Sequence, residues 1–279
     1  MTELAMTRSL VRLTAEFKEK VWGSTRLEPW YTSDGRHIGE VWFTNAQAPP
    51  ILVKLIFTEE NLSVQVHPDD VFAARHEHSR GKTEMWHILR AAPGAKVALG
   101  FREEITPERL RAAAISGEIM ELLNWFEARP GDTFFIPAGT VHAIGAGLAL
   151  CEVQQQSDVT YRLYDYGRGR ELHLEKGLQV ANRGVHPGYA PPTALPDGGS
   201  LLAECEYFRT ELRTFPGTLE QRPNGKSPEI LVFLRGEGLI AGERFRLGEA
   251  WLCSGDEAIA IEPGGEVTML RTFVPAPAF

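Results

Sequence analysis

The sequence predicts a mainly β protein made of two similar small barrels, with a short helical segment set into the first. Three observations predict it. Short runs rich in β-branched and aromatic residues recur along the chain, punctuated by Gly and Pro. One stretch breaks that rhythm with helical spacing. The second half then repeats the strand-and-turn pattern of the first.

In order, the first strands read IGEVWFTN (38–45), ILVKLIFT (51–58), LSVQVH (62–67), EMWHILRA (84–91), KVALGF (96–101), DTFFIPA (132–138) and LALCEVQQ (148–155). The interruption is ITPERLRAAAISGEIMELLNWF, 105–126. Thr106 suits an N-cap, Pro107 the first helical position and Glu108 the first turn, while Gly117 divides the segment into two short helices. A Pro- and Gly-rich stretch, PGYAPPTALPDGGS (187–200), reads as a linker. Strands resume beyond it with EYFRTELRT, EILVFLRGEGLI, ERFRLGEAWLC, EAIAIEP and VTMLRTF.

The repeat is visible in three places. EMWHILRA (84–91) matches EILVFLRG (229–236), PGDTFFIPAGTVHAI (130–144) matches LGEAWLCSGDEAIAI (247–261), and LALCEVQ (148–154) matches VTMLRTF (267–273). This pattern resembles the cupin double-stranded jelly roll, which implies a bicupin: a first barrel within 1–186 holding the helical insertion, the linker at 187–200, and a second barrel over 201–279. The copies differ chemically. His142 falls opposite Ile259, and all eight histidines lie at or before His186. A histidine-held metal therefore belongs to the first copy alone, one ion per chain.

Composition narrows the partners. With 43% hydrophobic and 24% charged residues the chain reads as globular. Its net charge of −8 argues against nucleic acid, which calls for a concentrated positive field. No run approaches membrane-spanning length, and MTELAMTRSLVRLTAEFKEK lacks the apolar centre of a signal peptide. Cys151, Cys205 and Cys253 are odd in number and widely spaced, so the setting expected is a reducing cytoplasm. The residues fix no oligomeric state.

The chemistry concentrates in LSVQVHPDD (62–70). Alternation puts Leu62, Val64 and Val66 on one face and Ser63, Gln65 and His67 on the other. Glu84 opens the next strand, and His142 follows the tight turn of IPAGTVH, where Pro137 and Gly139 aim the chain. Two imidazoles, a carboxylate and an amide oxygen suit a borderline divalent ion, zinc first. His37, His76, His78, His87, His173 and His186 read as ordinary structural or surface residues, His87 being in the wrong phase to share the site. A second cluster, EVQQQSDVTYRLYDYGR (152–168), carries Glu152, Asp158, Arg162, Asp165 and Arg168. It reads as the rim of an active site, with a carboxylate for proton transfer and guanidiniums for an anion. Lys82 and Ser63 add a cation and a hydroxyl.

LSVQVHPDD, GKTEMWHIL, PGDTFFIPAGTVHAIGAG and SDVTYRLYDYGR, in this order, resemble the type I mannose-6-phosphate isomerases, with KVWGS (20–24) and IGEVW (38–42) fitting the same family. The likeness runs from about residue 18 to 180, and the C-terminal part follows it only in outline. It implies a zinc-dependent aldose–ketose isomerase that interconverts mannose 6-phosphate and fructose 6-phosphate through an enediol. It implies a zinc site of Gln65, His67, Glu84 and His142, with Arg162 as catalytic arginine. Ser63, Lys82 and Glu152 would line the sugar-phosphate pocket, and Trp22 would close it. Glu152 or Lys82 is left as proton carrier, and Lys82 or Arg168 as phosphate cation. Two other readings compete. A different metal-dependent cupin enzyme, such as an iron dioxygenase, is disfavoured by the Gln–His–Glu–His set. A non-catalytic sugar-phosphate-binding cupin would be signalled by loss of Arg162 or a ligand, and neither is lost.

Overall fold

The computed structural model describes residues 9–46, 49–189 and 191–276. The first eight residues of the segment read as lacking a signal peptide, residue 190 of the expected linker and 277–279 of the expected second barrel lie outside the described residues.

The chain is mainly β, in antiparallel sheets. A six-stranded sheet runs in the order Thr14–Ser24, Ile38–Thr44, Ile51–Phe57, Leu148–Gln155, Glu84–Ala91, Thr133–Ile136. A five-stranded sheet runs Tyr161–Tyr164, Val64–Val66, His142–Ile144, Lys96–Phe101, Leu123–Glu127. The two face each other across a core that includes Ile56, Trp86, Ile88, Leu150, Val97, Leu99 and Ile144. In the C-terminal half a seven-stranded sheet, centred on Glu229–Arg235 and Val267–Phe273, faces a four-stranded one across Leu231, Phe233, Trp251, Met269, Phe245 and Ile261. The halves join back to back: Val53, Leu55, Cys151 and Val153 share a core with Ile230, Val232, Leu252 and Leu270. This explains why ILVKLIF and EILVFL are apolar without alternation, since such strands are buried on both faces.

The repeat seen in sequence recurs as hydrogen-bond register. Glu84 lies opposite Gln154 on one neighbouring strand and Ile136 on the other. Its counterpart Glu229 lies opposite Phe273 and Cys253, the positions that the repeat aligns with Gln154 and Ile136. The boundaries are less clean than the expected division. Ser9–Arg12 pairs with Ala250–Ser254, so the first strand completes the C-terminal sheet, and Thr193–Ala194 of the expected linker pairs with Ser200 and Leu201. Both cover sheet edges that would otherwise offer unpaired backbone groups.

The helical segment forms as expected at its start. Thr106 accepts a hydrogen bond from Arg109 N at 3.2 Å, Pro107–Ser116 is helical, and Gly117 ends it with φ +88°. A short helix follows at Ile119–Leu122. Residues Leu123–Glu127 then depart from the helical expectation and form a strand beside Lys96–Phe101. Leu123 is buried there and Trp125 and Phe126 are half-buried, so pairing in a sheet wins over helical spacing. Two helices were not foreseen. Asp69 of HPDD caps Asp70–Glu77 by accepting from Phe72 N, and Leu174–Val180 packs against Tyr161–Tyr164. Among the described residues no helix is long and apolar enough to cross a membrane.

Candidate metal centre and its cleft

The facing sheets supply opposite walls of one site. In the five-stranded sheet the Cα atoms of Arg162, Gln65 and His142 lie in register on adjacent strands. In the six-stranded sheet Lys54, Glu152 and Trp86 do the same, with Glu84 on the Trp86 strand. His142 is placed by the expected turn: Thr140 N donates to Pro137 O at 3.1 Å, and Gly139 adopts φ +87°, a value L side chains avoid. Gly139 N also donates to His67 O, tying the turn to the other histidine.

His67, Glu84 and His142 converge, their ligand atoms within 4.8 Å of one another and their side chains buried. His67 Nδ1 donates to Val159 O at 2.9 Å and His142 Nδ1 to Thr140 O at 2.8 Å. A carbonyl only accepts, so Nδ1 carries the proton in each ring and the Nε2 lone pair faces the cluster. Burial, above all, keeps both rings neutral: His67 is held well below its ordinary pKa and His142 is pulled down to about 4. His67 Nε2 and both Glu84 oxygens are buried without a well-formed hydrogen bond, Lys82 Nζ standing 3.2 Å from Glu84 Oε2 as an ion pair. Orphaned buried polar atoms are costly, and a bound cation would satisfy all three together. Gln65 reaches the same point, its Nε2 3.3 Å from His142 Nε2. A half-turn of the amide would offer its oxygen instead, the two ends being nearly alike in shape. The donor set thus fits a metal ion.

Beside the cluster opens a cleft of about 240 Å³. Gln65 and Ser63 line it on one side, Lys82 and Glu152 on the other, with Trp22, Asp158, Thr160 and Arg162 around them. All of these but Thr160 are residues that the sequence proposed, whereas Asp165 and Arg168 of the expected rim lie outside the lining. The Arg168 guanidinium donates to Asn61 O at 2.8 Å and to Glu60 at 2.7 Å, and Arg170 lines the cleft instead.

The buried charges are paired. Lys54 Nζ lies 3.0 Å from Glu152 and 2.6 Å from Gln154 Oε1, and Trp86 Nε1 donates to Glu152 at 3.0 Å. Burial would raise the Glu152 pKa, but Lys54 and Lys82 outweigh it and pull this carboxyl down to about 2. Lys82 sits 3.2 Å from Glu84. Burial disfavours its charge, yet Glu84 and Glu152 hold its pKa above the ordinary lysine value. Glu84 itself is raised, by burial first and then by the charge of Glu152. Lys20 pairs with Glu40 at 3.0 Å at the edge of the cleft.

Lys54, Lys20, Glu40, Trp86 and Arg170 were missed in the sequence. Lys54 did leave a signal: a single charge inside ILVKLIF, a strand that is otherwise apolar and wholly buried, calls for a buried partner.

No family model matches the chain. A mannose-6-phosphate isomerase of Bacillus subtilis (strain 168) is 34% identical, the match covering 81% of this chain and 86% of that protein. The chain belongs to the mannose-6-phosphate isomerase family. A second member, from Streptococcus mutans, is 32% identical over 82% of this chain and 85% of its own length. Among solved structures, the mannose 6-phosphate isomerase from Bacillus subtilis superposes with a TM-score of 0.85 at 28% identity, covering 95% of this chain and all of that one. A mannosephosphate isomerase homologue from Archaeoglobus fulgidus shares the fold, with a TM-score of 0.79 at 23% identity.

Proposed function

We propose that this protein is a zinc-dependent mannose-6-phosphate isomerase, built on two cupin jelly rolls and working in the cytoplasm. The observation that carries this is the set of orphaned atoms, His67 Nε2 and the Glu84 oxygens, buried beside a cleft lined by lysines and arginines. Gln65, His67, Glu84 and His142 would hold the ion. Zinc bound there supplies a positive centre that orients and polarises the oxygens of a sugar.

The chain's own residues do the rest. Converting mannose 6-phosphate to fructose 6-phosphate takes a proton from C2, forms an enediol, and returns a proton to C1. Of the two candidate carriers, a protonated Lys82 has no lone pair to accept a proton, whereas Glu152 is held as a carboxylate. We assign Glu152 the transfer. Lys54 and Trp86 fix its orientation and lower its basicity. Arg162, always charged and next in register to Gln65, stabilises the negative oxygen of the enediolate. Ser63 and Trp22 shape the sugar's seat.

Mannose 6-phosphate turnover, followed with and without a chelator, tests the reading. Turnover lost on chelation and restored by zinc is expected. Tight sugar-phosphate binding with no interconversion in the metal-loaded protein would favour the non-catalytic module.

Lys54 supplies a pH test. It is the chief group holding the Glu152 pKa down, so Lys54→Met should let that pKa rise. The acid limb of the kcat profile should then move to higher pH, because the carboxylate becomes protonated earlier as pH falls. An unmoved acid limb would remove Glu152 from the proton-transfer role.

A further inference from the structure

The cations of the cleft are not equivalent. Lys54 and Lys82 lie deepest, each tied to a carboxylate that the reaction or the metal needs. Lys20 is paired with Glu40, and Glu40 lines the cleft too, so that pair presents little net charge to a ligand. Arg162 stands beside the metal cluster, its Cα in register with Gln65. Arg170 is different. It comes from the loop after Tyr161–Tyr164, turned by Tyr166, Gly167 and Gly169, all at positive φ. Its side chain is 29% exposed.

The loop explains how Arg170 is aimed. Arg168 fastens it to the neighbouring segment through Asn61 O and Glu60. Asp165, 3% exposed, accepts from Arg170 Nε at 2.7 Å and from Nη2 as well. Asp165 is not among the residues lining the cleft, so the counter-ion of Arg170 stands behind it and the remaining edge of the guanidinium is presented forward. Arg162 and Arg170 are also close enough for the charge of one to disfavour that of the other, so this wall of the cleft carries two like charges.

A hexose 6-phosphate reacts at C1 and C2 and carries its phosphate at C6, the opposite end. The metal cluster and Arg162 mark the reacting end, so the phosphate falls toward the outer cleft, where a rigid guanidinium fork suits its oxygens. We infer that Arg170, oriented by Asp165, is the phosphate anchor of this site and that Arg168 is the staple of its loop. The inference rests on the sugar-phosphate reading above.

Calorimetry on the metal-loaded protein tests it, with mannose 6-phosphate and with inorganic phosphate alone. Arg170→Gln should weaken both by roughly ten- to a hundred-fold, the loss expected for a hydrogen-bonded charge. Arg168→Gln should weaken them much less. Arg170→Lys keeps a charge for Asp165 and guards against a misfolded loop; it should fall between the unmodified protein and Arg170→Gln. Unchanged affinity in Arg170→Lys and Arg170→Gln, or equal losses in the Arg168 and Arg170 variants, would overturn the assignment. These are binding measurements, so a protein that binds mannose 6-phosphate but does not isomerise it would refute the isomerase reading while leaving the Arg170 assignment to the affinities.

Discussion

His142→Ala is expected to lose the metal and abolish measurable turnover while the sheets stay folded. His142 is one of two neutral imidazoles facing Glu84, its Nε2 3.4 Å from Oε1. Removing groups that merely orient a ligand costs metal affinity about 10- to 100-fold, and removing the ligand should cost more. The fold should survive because the site is one end of a core otherwise closed by Trp86, Ile88, Leu99 and Leu150. Elemental analysis beside circular dichroism checks both halves of the expectation. The unmodified chain should carry about one ion, and His142→Ala far less at the same metal concentration.

The stoichiometry follows from the second half of the molecule. Glu229, the repeat counterpart of Glu84, is also buried, but it receives Arg271 Nε at 2.7 Å and Nη2 at 2.6 Å. Arg271 occupies the position that Glu152 holds in the first half, and it also lies 3.3 Å from Glu211, across the ladder where Lys54 would be. The charges are inverted and mutually paired, so the C-terminal half satisfies its buried carboxylate internally. Among the described residues, no group of three ligating side chains gathers there. Two ions per chain, or full occupancy in His142→Ala, would refute this assignment.

Much of this site could be read from the sequence because its residues sit at strand positions with a fixed phase. Gln65 and His67 share a face by alternation, and Glu152 shares one with Leu150 and Gln154. The gaps have physical causes. Lys54 sits inside an apolar strand, and only its partners reveal that the run passes through a polar centre. Arg168 and Arg170 lie in one irregular loop, with Gly167 and Gly169 at positive φ, where no periodicity says which guanidinium points inward. Ser9–Arg12 pairs with residues from the far end of the chain, a register that no local pattern encodes. At Leu123–Glu127 helical spacing was overruled by a neighbouring strand.

Glu152→Gln is expected to bind mannose 6-phosphate and to exchange no proton. The substitution changes volume little and keeps one oxygen to accept from Lys54 or Trp86, while its amide nitrogen faces the other donor. It removes the carboxylate that Lys54 and Trp86 orient in the cleft. Loss of a positioned general base costs about 10²–10⁴-fold, and loss of transition-state stabilisation alone should lower kcat with little change in KM. The pairing with Lys54 sharpens the expectation. A carboxyl held at about pKa 2 is a weak base in the free site, so its reactivity depends on how far the substrate and Arg162 compensate for the carbanion charge. The decisive readout is solvent deuterium appearing at the carbon beside the carbonyl, measured together with sugar-phosphate affinity. Normal exchange in Glu152→Gln would transfer the role to another group, Lys82 or a water, and would make Glu152 the counter-ion that keeps Lys54 charged.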